Sequence, residues 1–171
     1  MQAAMVVNKS EPSYGMSKTI GRLLNSDGKI DEGLEYFKQA LELAESGTEK
    51  GDILYLMAQS YFQKGSKSTA RSYAVKATEA DPTKKEGYIL VGDMYMNSSK
   101  ECTGSNVVET RAVYIAAYNW YAKGGNSSKM ASAKAQFPSI EEIFTYGMKE
   151  GDKVTVGCWI NESVELQRRP S

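Results

Sequence analysis

The chain has 171 residues, of which 41% are hydrophobic and 25% charged, and its 21 basic residues balance 21 acidic ones. These proportions are typical of a globular protein with a packed core, and zero net charge argues against nucleic-acid binding. The sequence contains no histidine, which removes histidine-dependent nucleophile pairs and metal sites, and it has no apolar run near the ~18 residues of a membrane span. The composition therefore favours a non-catalytic protein without a metal or other cofactor.

Residues 1–13 contain neither the basic segment nor the apolar stretch of a secretory signal. We expect this segment to be a flexible N-terminus. Its composition fits a cytoplasmic protein, or a mature or truncated chain whose signal was removed.

Small residues recur at long intervals after this segment. Gly21, Ala58 and Gly92 lie 37 and then 34 residues apart, and a large residue follows three positions after each. Because two helices approach closely only where their facing side chains are small, this period predicts repeated helix pairs. The large residues are Leu24, Tyr61 and Tyr95, and the second helix is marked by Gly33 with Ala70, Phe37 with Ala74, and Ala40 with Ala77.

Gly28 and Gly65 lie at the same offset between the paired helices, where glycine permits a turn, and Pro82 closes the second pair. This pattern resembles the tetratricopeptide repeat family, although Leu54 and Ala74 stand where the family often has tryptophan and another aromatic residue. The resemblance implies an all-α helix-turn-helix solenoid of about three units. The alternative is an irregular helical bundle with accidental periodicity.

The predicted repeat array covers residues 14–128, and a polar insertion near residues 97–106 interrupts its third unit. Thr83-x-x-Glu86 has capping-box spacing at the start of that unit. The apolar and aromatic residues that follow the insertion predict its second helix over residues 108–123.

Residues 129–171 form a predicted extension of two helices and a small β-hairpin. The first helix covers residues 130–136, and the second starts at the capping box Ser139-x-x-Glu142 and ends near Gly147. Alternating apolar residues predict strands over residues 153–160 and 163–168. Because a lone hairpin is barely stable in water, it must pack on the preceding helices or on another chain.

Four segments of the second half resemble the carboxy-terminal part of bacterial tetratricopeptide proteins that are often associated with the cell envelope. The resemblance spans roughly residues 85–168 and implies a periplasmic or envelope-associated protein without an assigned enzymatic activity. Such proteins usually carry more repeats and an export signal, so we expect a short relative or a fragment. The segments are residues 111–114, 137–144, 151–152 and 156–162.

Cys102 lies in the insertion and Cys158 in the first predicted strand. In an exported protein the two can form a disulfide, and closing that loop would stabilise the fold by about 4 kcal/mol. The alternative is two unrelated thiols. Metal binding by two cysteines without histidine is less favoured.

Two adjacent acidic pairs, Asp31-Glu32 and Glu141-Glu142, have the composition of a general acid–base site. Both pairs fall in predicted first helical turns, where negative charge complements the helix dipole. We therefore interpret them as helix-stabilising residues.

The family resemblance implies that the first helix of each unit lines a concave groove that binds extended or helical peptides. Leu56, Glu86 and Leu90 stand where a chaperone-tail carboxylate clamp needs asparagine and basic residues, so we do not expect a clamp. Apolar side chains in the groove instead favour an amphipathic segment, unless the chain's own final helices or hairpin cover them. The groove positions are Lys18, Arg22, Asn25, Asp52, Tyr55, Gln59, Phe62, Glu86, Ile89, Asp93 and Met96.

The sequence thus predicts a protein–protein interaction scaffold or adaptor, whose partner choice is tuned by Arg22, Asp52, Gln59 and Asp93. One alternative is an assembly subunit, a homo-oligomer formed through the exposed edge of the hairpin. A less favoured alternative is a carbohydrate-binding module that uses aromatic residues of the tail such as Trp159 and Tyr146.

Overall fold

The computed structural model describes residues 2–170, which form nine helices and one two-stranded sheet. The chain folds into two compact units, an N-terminal unit (Met1–Gly87) and a C-terminal unit (Tyr88–Ser171). The elements are α1 (Gln2–Ser10), α2 (Tyr14–Ser26), α3 (Ile30–Glu42), α4 (Gly47–Gln63), α5 (Lys67–Ala80), α6 (Glu86–Asn97), α7 (Val107–Gly124), α8 (Ser127–Lys134), α9 (Ile140–Thr145), β1 (Lys153–Val156) and β2 (Glu162–Glu165).

The division between the units falls within α6, because α7 packs against α8, α9 and both strands. The third helix pair therefore belongs to the same compact unit as the extension that follows it. The predicted domain limits after residues 13 and 128 follow the repeat period rather than this packing, and they stay a prediction.

Two helix-turn-helix pairs, α2 with α3 and α4 with α5, form most of the N-terminal unit. Gly28 and Gly65 lie in the predicted turns with φ of +77° and +81°, values that favour glycine. These two turns are confirmed.

The closest approach within a helix pair occurs where the sequence predicted small residues. A Cβ atom at Gly21 would lie 2.6 Å from Cε1 of the buried Phe37 ring. The second pair has Ala58 and Ala74 at the corresponding positions, and both are fully buried. In the third pair a Cβ at Gly92 would lie 2.4 Å from Cε1 of Tyr121. Glycine against an aromatic ring and alanine against alanine are thus two solutions to the same packing constraint.

Residues 2–10 form α1 in the segment for which the sequence predicted a flexible terminus. The sequence did not predict that Asn8 would be buried, but this polar residue is only 1% exposed and holds the helix in place. Its Nδ2 donates to Gln39 Oε1 at 2.8 Å, and its Oδ1 accepts from the Ser17 hydroxyl at 3.2 Å. These hydrogen bonds attach α1 to both helices of the first pair.

The predicted capping box at Thr83 and Glu86 is wrong. Thr83 instead donates from its amide and its hydroxyl to Asp81 Oδ1, at 3.2 and 2.6 Å. The Asp81 carboxylate is only two residues from Thr83, nearer in sequence than the Glu86 carboxylate that a capping box would use. Helix α6 therefore begins only at Glu86. The box predicted at Ser139 and Glu142 is confirmed at the start of α9.

In the C-terminal unit, α7 matches the predicted helix to within one residue at each end. Helix α8 starts three residues earlier than predicted, because the Asn126 side chain caps it by accepting from the Lys129 amide. None of the helices in the described residues combines the length and apolar character needed to cross a membrane.

The hairpin is shorter than predicted, with β1 and β2 antiparallel and Val154 opposite Val164. The chain leaves the extended conformation early, since Cys158 and Asn161 have φ of +63° and +43°. Val154, Val164 and Leu166 are buried and the strands contact α7. The hairpin therefore packs on a preceding helix of its own chain.

Candidate functional site

A cavity of about 340 Å³ in the N-terminal unit contains the predicted groove residues of α2 and α4. We call it the α2–α4 cavity. Five of the predicted positions line it: Lys18, Arg22, Asp52, Tyr55 and Glu86. The other lining residues are Gly51, Leu56, Ala77, Lys84 and Gly87.

Asp52 is the electrostatic centre of this cavity. Its Oδ2 accepts a hydrogen bond from Lys18 Nζ at 2.9 Å, and its Oδ1 pairs with the Lys84 ammonium. Partial burial raises the pKa of the Asp52 carboxyl, but the hydrogen bonds from Lys84 and Lys18 outweigh it and hold the pKa below its usual range. Asp52 therefore joins α2, α4 and the turn before α6.

The pKa values of Lys18 and Lys84 shift upward, opposite to that of Asp52. The hydrogen bond to Asp52 raises the pKa of Lys84. Burial lowers the pKa of Lys18, but the hydrogen bonds to Asp52 and Tyr14 outweigh it, so the net shift is upward. All three groups are charged at neutral pH. With exposed Arg22 and Glu86, they give the cavity a charged rim around Tyr55 and Leu56.

The remaining groove positions of the N-terminal unit lie outside the cavity lining. Asn25 Nδ2 donates to Ser60 Oγ at 2.8 Å and so links α2 to α4, while its Oδ1 is buried and makes no hydrogen bond within the described residues. Gln59 and Phe62 are half-buried on α4. These residues continue the predicted face along α4.

Ile89, Asp93 and Met96, also predicted for the groove, lie on α6 in the C-terminal unit. Asp93 accepts a hydrogen bond from the Tyr121 hydroxyl at 2.8 Å and from Lys129 Nζ at 2.5 Å. Burial raises the pKa of Tyr121, and its hydrogen bond to Asp93 raises it further. Asp93 thus connects α6 to α7 and α8, and Lys129 of the extension already occupies its carboxylate.

The structure pairs Cys102 and Cys158 in a disulfide with their Cα atoms 5.3 Å apart. The bond ties the insertion to the hairpin and leaves neither sulfur as a thiolate for a metal ion. The carboxylate of Glu101 lies nearby, within 4.8 Å of both sulfurs. This cluster is consequently a covalent cross-link.

A second link to the hairpin was missed by the sequence analysis. Glu162 Oε2 accepts hydrogen bonds from the Tyr95 hydroxyl at 2.8 Å and from Trp120 Nε1 at 3.0 Å. Glu162 lies between the two predicted strands, and no local pattern in the sequence joins it to residues 67 and 42 positions away.

The aromatic residues considered for carbohydrate binding have different environments. Trp159 Nε1 donates to Ser98 Oγ at 3.1 Å, and the ring packs edge-on against Tyr95 with centroids 5.4 Å apart. Tyr146 is 47% exposed. Trp159 is therefore engaged in packing of the C-terminal unit.

The helix pairs joined by glycine turns, their 37-residue period and the cavity between their first helices define a helical repeat protein of the all-α class. A family model described as "Tetratricopeptide repeat" matches residues 19–46 and 51–84. The chain therefore contains two matches to the tetratricopeptide repeat, both in the N-terminal unit, as the residue pattern predicted. This family is in general a non-catalytic scaffold for protein–protein interactions.

Among the solved structures that match is one titled "Crystal structure of MamA". It shares 15% sequence identity, has a TM-score of 0.59, and the match covers 86% of this chain and 77% of that one. At this identity the likeness shows the fold alone. The comparison with curated proteins found no match.

Proposed function

We propose that the α2–α4 cavity binds an amphipathic segment of a protein partner. The observation that carries the proposal is the composition of its lining, in which Leu56, Ala77 and the ring of Tyr55 are bordered by charged groups. Apolar side chains of a partner segment would be buried on these residues, and polar groups at the rim would set its orientation.

Arg22 offers the most direct test, because it is exposed and lies on the cavity rim. Reversing its charge with Arg22→Glu changes the rim without disturbing the core. Leu23→Glu is the matched control, since Leu23 is the next residue of α2, is 46% exposed and is not part of the lining.

The experiment is selection of random-sequence peptides on the full chain, followed by affinity measurement of the enriched peptides. We expect Arg22→Glu to change affinity by about tenfold, equivalent to ~1.4 kcal/mol, and Leu23→Glu to leave it unchanged. NMR shifts on peptide addition should centre on residues 18–22 and 52–56. Peptides indifferent to Arg22→Glu, or shifts confined to other residues, would refute the cavity as the binding site.

We further infer that the protein works in an oxidising compartment such as the periplasm or the cell envelope. The disulfide between Cys102 and Cys158 supports this, because such bonds persist mainly outside reducing cytoplasm. Trapping thiols with an alkylating reagent in intact cells would test it. Full labelling of both cysteines in the native protein would contradict the inference.

A further inference from the structure

Helix α9 and its C-cap residue Tyr146 present an apolar surface to solvent. Phe144 is 82% exposed, Ile140 is 43% exposed and Tyr146 is 47% exposed. Ile140 and Phe144 are four residues apart and share one face of the helix. We call these three residues the α9 knob.

The knob is held on a well-anchored helix. Ile143, the residue before Phe144, is 1% exposed. Ser139 and Glu142 close a capping box at the start of α9, and Glu142 Oε2 lies 3.5 Å from Arg111 Nε. Because the helix is fixed by these contacts, docking of the knob would cost little conformational entropy.

A cavity suited to such a side chain lies in the N-terminal unit. It has a volume of about 440 Å³, and we call it the α1–α3 cavity because its lining comes from these two helices. Met5, Val6 and Tyr36 supply apolar walls, and Val6 is 69% exposed. Asn8 and Gln39, hydrogen-bonded to each other at 2.8 Å, supply polar lining.

One exposed charge beside the knob is opposite in sign to one exposed charge beside the cavity. Glu35 at the cavity is paired with Lys38 at 2.7 Å, which leaves the ammonium of exposed Lys9 as the charge that the lining offers. Glu141 lies three residues before Phe144 on α9 and is exposed. A hydrogen bond with Ser139 is the main cause of its lowered pKa, and the nearby charges of Arg169 and Arg168 add to the shift. A carboxylate therefore accompanies the knob and an ammonium accompanies the cavity.

We propose that the α9 knob of one copy docks in the α1–α3 cavity of a second copy, with Phe144 in the cavity and Glu141 beside Lys9. The two surfaces are different, so the contact is heterologous and every pair retains one free knob and one free cavity. Assembly would consequently continue as concentration rises. This self-association uses neither the α2–α4 cavity nor the hairpin edge.

Two variants that each block one surface test the proposal by complementation. Phe144→Glu removes the knob and leaves the cavity, whereas Val6→Glu blocks the cavity and leaves the knob. Both residues are largely exposed, so both variants should keep the wild-type circular dichroism and melting temperature. By analytical ultracentrifugation, the wild type should gain mass with concentration and each variant alone should be a monomer.

An equimolar mixture of the two variants should form a dimer and stop there, because one intact knob meets one intact cavity. A wild type that stays monomeric at all concentrations would overturn the proposal. So would Val6→Glu that self-associates like the wild type, or a mixture that remains monomeric.

A charge exchange tests the orientation. Lys9→Glu and Glu141→Lys should each weaken self-association about fivefold at low salt, and the double variant should recover most of that loss because the pair is restored with reversed signs. A double variant weaker than either single variant would contradict the proposed pairing of Lys9 with Glu141.

Discussion

The two compact units differ in the kind of contact that stabilises each of them internally. In the N-terminal unit, the same glycine or alanine positions bring the helices of successive pairs together, as Gly21 and Ala58 do. In the C-terminal unit, the decisive links are single and distant in sequence: Tyr95 to Glu162 over 67 residues, and Cys102 to Cys158 over 56. A periodic sequence therefore reveals how the first unit is built, whereas the second depends on contacts that occur once.

Breaking the disulfide should have the largest effect and should distinguish the two units. Replacing Cys102 and Cys158 with serine is expected to lower the free energy of unfolding of the C-terminal unit by about 4 kcal/mol, because the open chain regains loop entropy. Hydrogen exchange should accelerate in residues 88–170 and stay unchanged in residues 14–80. The chain has 2 cysteines, so wild type treated with reductant serves as control. Equal acceleration in both units would contradict the comparison.

A methyl group at the contact of the first pair should have the next largest effect. In Gly21→Ala the added Cβ would lie 2.6 Å from the Phe37 ring, and overpacking of this kind costs about 1–3 kcal/mol. Gly15→Ala is the matched control on the same helix, since its Cβ would meet nothing within 4 Å. Urea denaturation measures both.

A double-mutant cycle sharpens this result. Phe37→Ala alone should destabilise by about 3–5 kcal/mol through the cavity that it leaves. Adding Gly21→Ala to it reproduces the Ala58 and Ala74 arrangement of the second pair, so the second substitution should no longer destabilise. Additive losses would mean that the two pairs do not share one packing constraint.

The smallest effect is expected at the ion pairs of the α2–α4 cavity. Asp52→Asn should cost up to about 1 kcal/mol at pH 7, because the carboxylate and both lysines are partly exposed. The folded pKa of Asp52 is lowered, so its stabilisation is present above the unfolded pKa of about 4 and is lost as the pH falls through the folded value. Wild type and variant should therefore approach the same melting temperature as the pH falls through the folded pKa of Asp52, and a difference that stays constant into acid would contradict the assignment.

Sequence reasoning succeeded where one contact recurs at a fixed spacing. Gly28 and Gly65 identified the turns, and Gly21 and Ala58 identified the close approach of the helices. It failed where two local solutions compete, since Thr83 bonds to Asp81 rather than capping the next helix.

It also missed long-range polar links. Nothing adjacent in sequence marks Glu162 as the acceptor for Tyr95, or Asn8 as a buried residue. Five of the predicted groove residues line one cavity, but the sequence could not show that Asp52 and Asp93 already have partners within the chain.

The attachment of α1 through Asn8 has a practical consequence for protein engineering. The surface beneath this helix includes the polar groups of Ser17 and Gln39. When α1 is removed, water can replace Asn8 at both groups, and the 3.0 Å hydrogen bond between them can persist. A protein shortened to begin near Ser13 should therefore lose less stability than a protein whose truncation exposes an apolar surface. The first helix can serve as a detachable segment, and the site of its removal as a point for fusion to another domain.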